Sequence, residues 1–126
     1  MTFARRVFFV AGLYGIIVLP PQYFLPPPTT HPEFYYGFVG VALAWQLLFF
    51  IIAKDPVRYR LGMLPAVVEK VSFGAATAIL YAQGRLADQM LAAGMIDVLF
   101  AVLFLIAFRQ TAPSNPTPEP GPTTQR

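Results

Sequence analysis

Residues 64–83, LPAVVEKVSFGAATAILYAQ, run as twenty mostly apolar positions with two full charges, Glu69 and Lys70, set inside them. About twenty such residues suffice for a helix to cross a hydrocarbon core of about 30 Å. A charge at the centre of that helix costs about 2.5–3.5 kcal/mol on insertion scales, so the pair requires an interface, a partner or a function. Three more apolar blocks accompany it: 7–25 and 37–53 before, 90–108 after. The chain therefore reads as an all-α polytopic membrane protein. Residues 1–110 are expected to form an antiparallel four-transmembrane-helix bundle, and 111–126 a Pro-rich tail.

Composition points the same way. The charged fraction is 12% and the hydrophobic fraction 56%, against about 25% and 45–50% in soluble domains. There are no cysteines, which removes disulfides, thiolate metal sites and a Cys nucleophile. The single histidine, His31, lies in a Pro-rich loop, leaving no basis for an imidazole metal site or an axial haem ligand. A net charge of +3 raises the question of nucleic acid. The charges, however, flank apolar blocks as membrane anchors do, so no nucleic-acid partner is expected. Gly-rich phosphate loops, nucleophile elbows and metal-spaced acids are missing. The reading leans away from an enzyme, and no cofactor is expected.

The loops give an orientation. Arg5 and Arg6 precede the first block, Lys54, Arg58 and Arg60 follow the second, and Arg109 and Arg126 follow the fourth. Counting Lys70 with the nearer end of its helix, eight of the nine basic residues fall on one side, and only Arg85 on the other. Positive charge is retained on the cytoplasmic side, which predicts cytoplasmic termini in a plasma (inner) membrane. Arg5, Arg6, Lys54, Arg58, Arg60, Lys70 and Arg109 are accordingly read as orienting, headgroup-contacting residues, Lys70 by snorkelling.

Two local features bear on the ends. Block one is broken by Pro20-Pro21, so it spans only by starting near Phe3 or by continuing past a kink through residues 22–25. A cleaved signal is disfavoured, because no small-x-small site follows its apolar run. The stretch 111–126, TAPSNPTPEPGPTTQR, holds five prolines and no large apolar residue, a composition that predicts disorder.

The polar positions inside the blocks are the candidate site: Glu69, Asp97, Gln46, Thr77 and Tyr81. Glu69 lies about 9 Å from the cytoplasmic end of its helix at 1.5 Å per residue, with Gln46, Arg58 or Arg60 as candidate partners. Asp97 lies roughly 10–12 Å from the opposite end, with Thr77 and Tyr81 as donors. Gly94, Asp97 and Ala101 share one helical face. The small residues Gly37, Gly40 and Ala44, and Gly74, Ala75, Ala76 and Ala78, let another helix come close.

Four short spans with both ends inside, an Asp55-Pro56-Val57-Arg58 loop after the second and an acid, Asp97, in the fourth resemble small bacterial membrane proteins of the DoxX-like kind. The resemblance covers residues 5–109 and extends to architecture only. It implies a four-helix membrane protein of a group some of whose members are accessory to membrane redox enzymes. Pro20-Pro21 and Glu69-Lys70 are features of this chain that it does not account for. The expected role is a non-enzymatic accessory or scaffold subunit, embedded in lipid and packed on a membrane-protein partner or on itself. The alternative is an oligomeric small-molecule or ion transporter, or a lipid- or quinone-binding membrane protein.

Overall fold

A computed structural model of the chain describes residues 2–113 and 121–122. The first helix, α1 (Phe3–Val18), opens where the Thr2 hydroxyl accepts the Arg5 N–H at 3.4 Å. A capping oxygen of this kind satisfies one of the free N–H groups of the first turn. The helix stops at Pro20-Pro21, which have no N–H to carry it on, and the chain turns through a short 3-10 segment, Pro20–Tyr23. Both extensions foreseen for block one are present: the helix begins at Phe3, and a 3-10 turn carries the chain past the prolines to Tyr23. The second helix, α2 (Pro32–Lys54), starts five residues earlier than the apolar block. Pro32 sits in its first turn, where a missing N–H is harmless. Glu33 lies at its positive end and Lys54 at its negative end, as the helix dipole favours.

A 3-10 turn, Arg60–Gly62, leads into α3 (Met63–Ala82). That helix ends on Gly84 at φ +69°. The Arg85 N–H reaches the Leu80 carbonyl and the Gly84 N–H reaches that of Tyr81, both at 2.9 Å. This is a Schellman closure, which needs the left-handed backbone that glycine adopts without strain. The last helix, α4 (Asp88–Gln110), again carries an acid in its first turn and a base, Arg109, in its last. Among the described residues there is no strand. Most of the tail expected to be disordered lies outside the described residues.

Successive helices run in opposite directions. Arg60, before α3, donates from Nε to the Phe108 carbonyl at 2.9 Å, and its guanidinium lies 3.6 Å from the centre of the Phe108 ring near the end of α4. Arg60 therefore ties the α2–α3 loop to α4 in addition to placing charge at that end. Thr2, Arg5, Asp55 and Gln110 surround one depression at the same end. At the other end the Tyr35 hydroxyl donates to the Gln22 carbonyl at 3.0 Å.

Helix α1 packs on α2, α3 packs on α4, and α1 against α4 joins the two hairpins. Helices α2 and α3 stand apart, bridged by side chains such as Phe38 and Phe73 at 5.8 Å.

The half of the bundle nearest the termini is solid. Phe8 stacks on Phe104 at 4.2 Å, Phe49 meets both rings edge-on at 5.9 and 5.2 Å, and Ile52 and Met63 are fully buried beside them. Outward the pattern inverts that of a soluble protein. Ile17, Phe34, Val41, Leu61 and Val68 are exposed, whereas Lys70, Gln46 and Asp97 are buried. A contiguous apolar exterior of this extent marks a surface that faces something other than water. All four helices, taken with their 3-10 turns, are long and apolar enough to cross a membrane, at 21, 23, 23 and 23 residues. The architecture is that of a multi-pass membrane protein.

Candidate functional site

Helix α3 buries a stripe of Met63, Ala66, Lys70, Gly74 and Thr77, the three- and four-residue spacing of one helical face. Helix α4 answers with Gly94, Asp97, Ala101 and Phe104. The two backbones approach closely at the glycines. A Cβ on Gly74 would meet Val98 and the Gly94 carbonyl, and one on Gly94 would meet Thr77. Of the small residues of α3, Gly74 is therefore used within the fold, against α4, while Ala75, Ala76 and Ala78 are exposed. One turn before Gly74, this close contact brings Lys70 to Asp97.

Lys70 is only 4% exposed. Its Nζ donates to Asp97 Oδ1 at 3.2 Å and lies 3.6 Å from Glu69 Oε2. The ammonium also sits 5.3 Å from the centre of the Phe49 ring and 5.9 Å from that of Phe100, within the range of cation–π attraction. The expectation that Lys70 snorkels to the headgroups is thus corrected. The Gly74–Gly94 contact turns its side chain inward, where two carboxylates and two aromatic faces replace water.

Gln46 of α2 reaches the same region and is 2% exposed. Its Nε2 donates to the Ala42 carbonyl at 2.9 Å. Only the NH₂ end of the amide can make that bond, which fixes which atom is the oxygen. Gln46 Oε1 and Glu69 Oε2 are both buried and accept no hydrogen bond. Buried acceptors without a donor cost stability and call for an explanation.

Glu69, Lys70, Asp97 and Gln46 form the polar floor of a cavity of about 360 Å³ inside the bundle, toward the small end of the roughly 300–1,000 Å³ typical of ligand pockets. Its walls include Tyr14 and Gly15 of α1, Phe38 of α2, Phe73 of α3 and Ala93 of α4, and its rim Gln22, Tyr35 and Met90. The Phe8–Phe49–Phe104 cluster fills the bundle on the side nearest the termini. The cavity's rim therefore faces the opposite end. A groove on the outside of α2 and α3 lies against the cavity and shares Phe38, Ala42, Glu69 and Phe73 with it.

Of the five candidate site residues, three meet: Glu69, Asp97 and Gln46. Thr77 is buried nearby, but its hydroxyl donates to its own helix, to the Gly74 carbonyl at 2.8 Å. Tyr81 is 42% exposed and lies outside the cavity lining. The expected donors to Asp97 are thus replaced by Lys70. Arg58 and Arg60 are not the partners of Glu69: the Arg58 guanidinium lies 5.4 Å from the centre of the Tyr59 ring, and Arg60 is engaged with Phe108. Sequence reasoning missed Tyr14, Phe38 and Phe73 as walls. The signal for Lys70 was present in the Met63, Ala66, Gly74 and Thr77 spacing around it.

No family model, curated protein or solved structure matches the chain.

Proposed function

We propose that the protein holds a small membrane-soluble molecule in the cavity between its four helices, polar group down on Glu69, Lys70 and Gln46 and apolar body against the aromatic walls. The observation that carries this reading is the pair of buried, unsatisfied acceptors, Gln46 Oε1 and Glu69 Oε2, at the floor of an otherwise apolar cavity. Ligand sites are commonly apolar concavities with a few converging polar groups. The solid aromatic half makes a continuous pore through one copy a poor description, so binding is favoured over conduction.

Native mass spectrometry of the detergent-extracted protein tests this. The wild-type chain should carry a discrete small molecule, and Ala93→Phe, which fills the cavity from its wall, should lose it. Ligand-free spectra for both, with the protein folded, would end the reading.

A second reading, an accessory subunit, draws on α2. Gly37 has open space where a Cβ would be, with Phe34 and Val41 exposed three and four residues away, a strip on which another helix could lie. The likeness to DoxX-like proteins would fit that role. A foreign subunit retained in the same spectra would favour it.

Both readings place the protein in a bacterial inner membrane with cytoplasmic termini, on the strength of the basic residues gathered at that end. The chain has no cysteine, so single cysteines report topology cleanly. Ala87→Cys, in the α3–α4 loop, should react with an impermeant maleimide from the outside of intact spheroplasts. Val57→Cys should react only after permeabilisation. The reverse result would invert the orientation.

A further inference from the structure

The polar floor of the cavity does not balance. Two carboxylates, Glu69 and Asp97, face one ammonium, Lys70, and the hydrogen bond that Lys70 makes goes to Asp97. Glu69 Oε2 is left 3.6 Å from that ammonium without a hydrogen bond, and Gln46 Oε1, on the facing helix, also lacks a donor. What the floor offers is thus one carboxylate more than its ammonium balances, together with unused acceptor capacity. A ligand completes such a site by bringing N–H or O–H donors. A positively charged one also removes the leftover charge, which is expensive to hold in a low-dielectric interior. The walls add to this, because they hold the aromatic side chains of Tyr14, Phe38 and Phe73, and aromatic rings attract cations. Lys70 does not cancel the preference, since Asp97 neutralises it on one side and Phe49 and Phe100 lie against it on the other. No other cation lines the cavity: of the remaining basic residues described, Arg60 is held on Phe108, and none of Arg5, Arg6, Lys54, Arg58, Arg85 and Arg109 is in its wall.

We infer that the ligand class of this cavity is a small lipophilic ammonium compound, its charged group set against the Glu69 carboxylate and its apolar body lying among the aromatic walls. The inference rests on the binding reading above and narrows it. The apolar α2–α3 groove beside the cavity suits such a molecule, because an amphiphilic amine concentrates in the bilayer rather than in water.

The test compares two near-isosteric probes, 2-phenylethylamine and 2-phenylethanol, titrated into the full-length protein in nanodiscs at neutral pH. Intrinsic fluorescence is the readout, because Trp45 is the sole tryptophan and lines the shared groove. Ala93→Phe nanodiscs provide the correction for partitioning into lipid. The amine should bind at least tenfold more tightly than the alcohol, and Glu69→Gln should erase the difference by weakening the amine. Equal affinities in the wild-type protein would overturn the ammonium assignment and leave the cavity as a site for a neutral molecule. If neither probe exceeds the Ala93→Phe background, the assignment also falls, and the mass spectra then decide separately whether the cavity binds anything. The wild-type comparison stands on its own should Glu69→Gln fail to fold.

Discussion

Lys70→Met should lower the stability of the purified protein by about 3–5 kcal/mol, the range seen when one partner of a buried ion pair is removed. The substitution keeps most of the side chain's volume, so the loss reports charge. Without the ammonium, Asp97 and Glu69 are left facing each other in a region where only Tyr14, Gln46 and aromatic rings are near. The three charges do not contribute alike. Asp97→Asn should cost much less, because Lys70 still has Glu69 at 3.6 Å. Combining Lys70→Met with Asp97→Leu should recover a large part of the single-variant loss, since a buried pair can often be replaced by apolar residues at little cost. Reversible unfolding in mixed dodecyl-sulfate micelles, followed by circular dichroism, measures all three. A Lys70→Met protein as stable as wild type would mean that Lys70 reaches the headgroups after all.

Gly94→Val is the second large effect, and it has a geometric cause. A Cβ at residue 94 collides with the Thr77 side chain, and the α3 backbone on the other side of that contact cannot retreat without opening the Lys70–Asp97 bond. Overpacking of this kind costs typically about 1–3 kcal/mol and occasionally more. Gly37→Ala should by contrast stay within about 0.5 kcal/mol, as surface changes usually do, because nothing lies within 4 Å of the new Cβ. The mechanism has its own signature. Gly94→Ala and Thr77→Gly should couple favourably, by about 0.5 kcal/mol or more in a double-mutant cycle, since removing the whole Thr77 side chain, Cβ included, makes room for the methyl. Additive costs would show that Gly94 matters for some reason other than this contact.

The four helices were legible because hydrocarbon imposes a length, and the chain marks each block with proline or charge. The boundaries were less so. Arg5 and Arg6 look like the edge of a span, yet Thr2 caps the helix ahead of them, and Pro32 looks like loop although it is the first helical residue of α2. The site was half legible. Glu69, Asp97 and Gln46 stood out as polar residues in apolar surroundings. Measuring Glu69 from one membrane face and Asp97 from the other made them two problems, when in a bundle of this thickness both depths fall near the middle. Lys70 was assigned by what lysine usually does at a membrane edge. Its place in the Met63–Ala66–Gly74–Thr77 stripe argued the opposite, and the tertiary contact prevailed. The cavity could not be read at all, because it depends on α2 and α3 standing apart, and no local pattern records which pair of helices will be left open.

The Lys70–Asp97 bond joins consecutive helices, and this bears on how the protein is made. Each of the three intramembrane charges belongs to the second hairpin, and none to the first. When α3 and α4 leave the ribosome and move from the translocon into lipid, they can do so as a hairpin that already carries its own counter-ion. No charge has to wait, naked in hydrocarbon, for a distant segment to arrive. The first hairpin enters without any charge in its interior, and the docking of the two hairpins then needs only to seat Gln46 above a salt bridge that is already closed.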